Sequence, residues 1–148
     1  EYSELLPWEY GFTQAGNSMA CAAGLAMVEI MVRDDLPANS ERIGTLMTDA
    51  LKEIQRDSKL IGEVRGQGLM IGVELVRDRE TKEPAFEETD QLMAACLGHG
   101  LMIGKTGPVF GANGNVAKFK PAVNVTEEDA MEMVELFGRA LRDVEAAL

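Results

Sequence analysis

Residues 19–33 are apolar or small on every side of a helical wheel, from Ala20, Cys21, Ala22 and Ala23 through Leu25, Met27 and Val28 to Ile30 and Met31. A helix with no polar face has no side to give to water, so this one is predicted to be covered all round. It is not a membrane span: Glu29 interrupts it, and the apolar run is shorter than the ~20 residues a bilayer crossing requires. A chain of 148 residues corresponds to about one ordinary domain, and the terminal helix of a lone small domain should show a polar side. The helix therefore hints at missing structure, and a first residue, Glu1, that is not Met fits a processed chain, a trimmed one or a piece of something larger, among which composition does not choose.

The rest of the pattern reads as helices over strands. Residues 1–18 are loop-like and end in Asn17 and Ser18, either of which can cap the apolar helix. Pro37 is read as a break, with Asn39 or Ser40 capping an amphipathic helix that carries Ile43, Leu46, Met47, Ala50, Leu51 and Ile54 on one side. Glycine-bounded aliphatic runs then predict strands at residues 61–65, 69–76 and 101–103, with Gly66 and Gly68 making a tight connection between the first two. Residues 89–97 predict a short helix stopped by Gly98-His99-Gly100, and residues 116–119 a further strand. Thr126 caps the last helix, acids fill its first turn, and Val134, Phe137, Leu141 and Val144 recur at three-four spacing. With few strands and short glycine connections, the predicted class is α+β, with helices packed on a small, largely antiparallel sheet.

Charge and composition exclude several functions. The net charge of −11, from 14 Lys plus Arg against 25 Asp plus Glu, opposes a phosphate backbone or an anionic membrane surface, so neither nucleic acid nor membrane is the expected partner. Cys21, Cys96 and the single His99 are too few for a disulfide framework or a zinc site, and metal catalysis is not expected. Glu1 and Glu4 stand where a secretory leader would be basic, which makes the cytoplasm the default compartment.

Three features can carry chemistry. Gly66-x-Gly68 is followed by Gly72, one residue late for a dinucleotide fingerprint, and a strand rather than a helix follows, so a tight turn is the better reading. Residues 11–18 combine hydroxyl and amide side chains, flexible glycines and a helix N-terminus, which suits either an anion site or a plain capped helix start. Lys118 and Lys120 alternate with Phe119 and fall on one face of a strand, to receive a carboxylate or phosphate or simply to guard a solvated edge. Arg65 beside a glycine turn is expected to bond backbone carbonyls, and His99 between two glycines to be a turn residue.

Taken in order, Thr13-Gln14-Ala15-Gly16-Asn17-Ser18, then Glu63-Val64-Arg65-Gly66-Gln67-Gly68-Leu69, then Asn115-Val116-Ala117-Lys118-Phe119-Lys120-Pro121, and last Thr126-Glu127-Glu128-Asp129 resemble the C-terminal part of class III pyridoxal-phosphate (PLP) aminotransferases. The resemblance implies fold type I: residues 1–18 would end the large cofactor domain, and residues 19–148 would form a long connector helix and the small C-terminal domain. It further implies a homodimer in which Thr13, with Gln14 beside it, binds the PLP phosphate of the neighbouring subunit. The substrates implied are a small-molecule amine or amino acid and a keto acid or aldehyde.

Lys118 matches the position where the family commonly has the arginine for the substrate carboxylate, and Ala122 replaces a proline. Lysine is a point charge without arginine's bidentate fork. A lysine-bearing version of this strand is similar to that of the family's phospholyase branch, which acts on amino-alcohol phosphates; a non-catalytic small domain that only binds a ligand or partner is the remaining alternative. No lysine here lies in a context resembling the Schiff-base lysine, which is expected upstream of Glu1. The chain is therefore predicted to hold no catalytic residue and to be inactive alone.

Overall fold

The computed structural model describes residues 16–106 and 114–148, which form two compact units divided between Leu36 and Pro37. In the first, helix α1 spans Ser18–Arg33, the range expected from the apolar run. Asn17 caps it, its side-chain oxygen accepting from the Ala20 amide at 3.0 Å. Taken by itself α1 buries no residue: Met19 is 82% and Val32 77% exposed. No described helix is long and apolar enough to cross a membrane.

Helix α2 (Leu36–Asp57), which lies in the second unit from Pro37 onward, leads to strands β1 (Ile61–Gln67) and β2 (Met70–Leu75). Helix α3 (Phe86–Gly98), strands β3 (Gly104–Lys105) and β4 (Val116–Phe119) and helix α4 (Glu127–Ala146) follow. The strands form one antiparallel sheet in the order β1-β2-β4-β3. The α+β class with helices on a small antiparallel sheet therefore holds. β1 and β2 make a hairpin whose turn is Gly68-Leu69, with Gly68 at φ +51, a conformation that costs glycine little.

Three expected boundaries differ. Pro37 does not break the chain but sits in the first turn of α2, where its missing N–H would lack a helical partner anyway. Residues 101–103 are not a strand; the edge strand is the two-residue β3 just after them, too short to leave any periodicity. Helix α3 starts three residues earlier than expected, because Glu87 and Glu88 favour its N-terminal turn.

Period-two alternation decides which side of the sheet is covered. Val64, Val73 and Ala117, together with Ile71 and Phe119, are buried in a core shared with Met47 and Leu51 of α2, Leu92 of α3 and Phe137 and Leu141 of α4. Phe119 meets Phe137 edge to face, with centroids 5.3 Å apart. α2 crosses the hairpin so closely that a Cβ on Gly44 would lie 2.1 Å from the Gly68 carbonyl oxygen. Ser40 Oγ accepts from the Leu69 amide there, at 3.3 Å.

Two side chains hold the join between α2 and β1. The Glu145 carboxylate accepts from Ser58 Oγ (2.6 Å) and the Lys59 amide (2.8 Å), while Arg79 donates to the Gln55 and Ser58 carbonyls, both at 2.5 Å. The last carbonyls of α2 and the amides that open the next segment are both satisfied.

Candidate functional site

The opposite face of the sheet carries charge. Arg65, Gly72, Lys118 and Gly104 are partners across β1, β2, β4 and β3, so they form one row on one face. With strands about 4.8 Å apart, Lys118 lies roughly 10 Å from Arg65 along that row. Arg65 is held by carboxylates rather than by carbonyls as expected: its Nη1 donates to Glu63 at 2.6 Å and to Glu74 at 3.2 Å. Both acids sit on the same face of neighbouring strands, so Arg65 is neutralised in place.

Lys118 and Lys120 are different. Phe119 is fully buried and Ala117 likewise, so alternation turns Lys118 to the open face, as expected, and Lys120 follows the last residue of β4. Neither makes an ion pair among the described residues, whereas Lys105 pairs with Asp90 on the covered side. Lys118 is half-buried and Lys120 exposed. Together with Met102, Ile103, Gly104, Pro121 and Met133 they line a depression of about 250 Å³.

β4 is fixed at its start by Asn115, which sequence reasoning treated only as part of a motif. Its side-chain amide donates to the Leu75 carbonyl at 2.8 Å, and its own carbonyl accepts from the Leu75 amide at 2.8 Å. This two-way bond sets the register that places Lys118 opposite Gly72. A lining of two lysines with methionines and aliphatic residues suits an anion carried on a short apolar skeleton.

Other charged groups do not join this site. His99 ends α3 and its Nε2 lies 2.6 Å from Asp143 of α4, which fits the turn reading. Arg77 gathers Glu83, Glu87 and Glu88. Glu88 is 8% exposed, with Oε1 taking the Arg77 Nε–H at 2.7 Å and Oε2 buried without a partner among the described residues. Burial pushes the Glu88 carboxyl up, but the Arg77 hydrogen bond and charge, with a backbone amide, bring it net below its ordinary value. Burial alone raises the Cys96 thiol to about 11, which leaves it inert. A larger depression of about 920 Å³ lies between α2 and α4, but Glu53, Glu128, Glu132 and Glu135 line it and would repel an anion.

Thr13 and Gln14 lie outside the described residues. PLP needs an amine for its aldehyde, an acid for its ring nitrogen and a phosphate cradle. Lys52, Lys59, Lys82 and Lys120 are exposed, and Lys105 and Lys118 half-buried; none faces an enclosed cavity with a free acid beside it. The described residues therefore do not fit the cofactor on their own, and they fit an anion at Lys118.

The family described as aminotransferase class-III matches residues 2–141. A leucine/methionine racemase of Thermococcus litoralis is 36% identical over 141 residues, covering 95% of this chain and 30% of the racemase. The mitochondrial alanine–glyoxylate aminotransferase 2 homolog 2 of Arabidopsis thaliana is 38% identical, covering 85% of this chain and 26% of that protein. Among solved structures, a transaminase with L-ala superposes with TM-score 0.81 at 33% identity, covering 93% of this chain and 31% of that one. An amine transaminase from an uncultivated Pseudomonas species, in its PLP-bound form, gives TM-score 0.82 at 28% identity, covering 97% and 31%. The chain thus spans under a third of the length of these relatives.

Proposed function

The chain belongs to the aminotransferase class-III family, whose members depend on PLP, and from that premise we propose that the protein containing it is a PLP-dependent aminotransferase. It would move an amino group between an amine or amino acid and a keto acid or aldehyde. Bound PLP supplies the electron sink for that chemistry, and this chain's part is to bind and orient. Lys118 receives the anionic end of the substrate, with Lys120 at the rim and Met102 and Met133 against the carbon skeleton. The observation that carries this reading is a half-buried lysine, without an acid partner among the described residues, in the open row of the sheet.

The remaining assignments belong to the same proposal. Residues 1–18 end the cofactor domain, Thr13 and Gln14 serve the cofactor phosphate across a homodimer interface, and α1 is the connector between domains. The apolar side chains exposed along α1 are what a covered connector would present. The catalytic lysine lies upstream, and the enzyme works in the cytoplasm on small molecules.

A second reading has its own support. Lys118 in place of arginine, with Lys120 lining the same depression, suits a phosphate monoester as well as a carboxylate, which favours a PLP phospholyase on amino-alcohol phosphates. The racemase relative adds a third outcome for the same assay. The full-length protein with PLP is offered L-alanine plus glyoxylate, L-leucine alone, and phosphoethanolamine alone. Keto-acid-dependent amine transfer is expected; phosphate release or D-leucine formation without a keto acid, in the absence of transfer, would overturn the aminotransferase reading.

A further inference from the structure

Lys118 is flanked by glycine on both sides. Its cross-strand partners are Gly72 on β2 and Gly104 on β3, so no neighbouring side chain in its row props it upright. The two glycines do different things. A Cβ on Gly72 would press on Val116 Cγ1 at 3.1 Å, so that flank is closed by Val116. Among the described residues, a Cβ on Gly104 would meet only Lys118 Cε, at 3.8 Å. The methylene stem of Lys118 therefore lies over Gly104, towards the edge of the sheet. Gly104 itself is exposed, has no positive φ and ends no helix, so neither backbone strain nor core packing accounts for glycine there.

From these contacts we propose that Gly104 is a positioning and specificity-determining residue: its bare backbone is the seat on which Lys118 folds down. The seat brings the ammonium to the mouth of the depression shared with Lys120, Met102 and Met133, where the substrate's anion is taken. A side chain at position 104 large enough to fill the seat lifts the lysine stem off the edge strand and out of that mouth. Gly104 acts through Lys118 and does not touch the substrate. The proposal rests on the reading of Lys118 as the anion receptor.

Gly104→Val fills the seat while keeping a residue suited to a strand, so the edge pairing survives. In the full-length PLP-loaded protein, Gly104→Val should raise the KM for L-alanine about tenfold with kcat nearly unchanged, since removing a charged contact costs on that order. The KM for butan-2-amine, which has no carboxylate, should not move. The same substitution placed on Lys118→Met should add nothing, because the group it acts through is gone.

The outcomes separate the two claims. If Lys118→Met leaves the KM for L-alanine unchanged, or the unaltered protein neither turns over L-alanine nor binds pyruvate by calorimetry, the anion-receptor reading fails and takes this proposal with it. If Lys118→Met raises that KM but Gly104→Val does not, the seat alone is overturned. An effect of Gly104→Val that persists in full on the Lys118→Met background, or that raises both KM values alike, also overturns the seat, because a loosened edge strand would do that without any role for Lys118.

Discussion

The two faces of the four-stranded sheet obey opposite rules. On the covered face Val64, Val73, Ile71, Ala117 and Phe119 are nearly or wholly shut off from water, and Lys105 there is neutralised by Asp90. On the open face the row reads Arg65, Gly72, Lys118, Gly104: a paired arginine, a closed glycine, a lysine without an acid partner among the described residues, and a bare edge. The same four strands thus hold a site where stability comes from apolar burial and, one side chain away, a site where a charge is left available. The buried side chains of β4 anchor the strand from the other face, so Lys118 can be changed at little cost to the fold.

Substitutions on the two faces should therefore separate stability from substrate recognition. The largest loss of stability is expected from Phe119→Ala, which removes a fully buried ring and its edge-to-face partner; about 3–5 kcal/mol is expected, read as a fall in the thermal midpoint of the full-length protein. Gly44→Ala follows, at about 1–3 kcal/mol or more, because its Cβ would collide with backbone of the hairpin turn rather than with a movable side chain. Rigid turn and helix cannot both stay where they are.

Acid should weaken the covered side through Glu88. Its folded carboxyl sits below the ordinary 4.5, so its stabilisation is fully present above that pH and is lost as the pH falls through the lower folded value. Glu88→Gln should flatten that part of the stability profile between neutral pH and pH 3, measured by denaturant titration at each pH; an unchanged profile would show the Arg77 pair carries no linkage. The smallest stability change belongs to the open face: Lys118→Met should shift stability by less than about 0.5 kcal/mol.

Much of this contrast was written in the sequence. Alternation alone put Lys118 and Lys120 opposite Phe119, three-four spacing gave α4 with its Thr126 cap, and the glycine pair gave the hairpin turn. The apolar run gave α1. What escaped has a common cause. β3 is two residues long and has no period, Pro37 is compatible with a first helical turn that a breaker rule ignores, and the Arg77–Glu88, Glu145–Ser58 and Gly44–Gly68 contacts join positions far apart in the chain. Arg65 was assigned the wrong class of partner because its acids, Glu63 and Glu74, become neighbours only when the register of β1 on β2 is known. Gly104 carried no signal until the strand beside Lys118 was identified.

Substrate recognition at the open face rests on Lys118 taking the substrate's anion. The most direct measurement is the ratio of KM for L-alanine to KM for butan-2-amine in the full-length PLP-loaded protein, before and after Lys118→Met. This ratio should rise about tenfold or more while the thermal midpoint stays within a degree or so. A ratio that does not change, in a variant that remains folded and active on the amine, would contradict it.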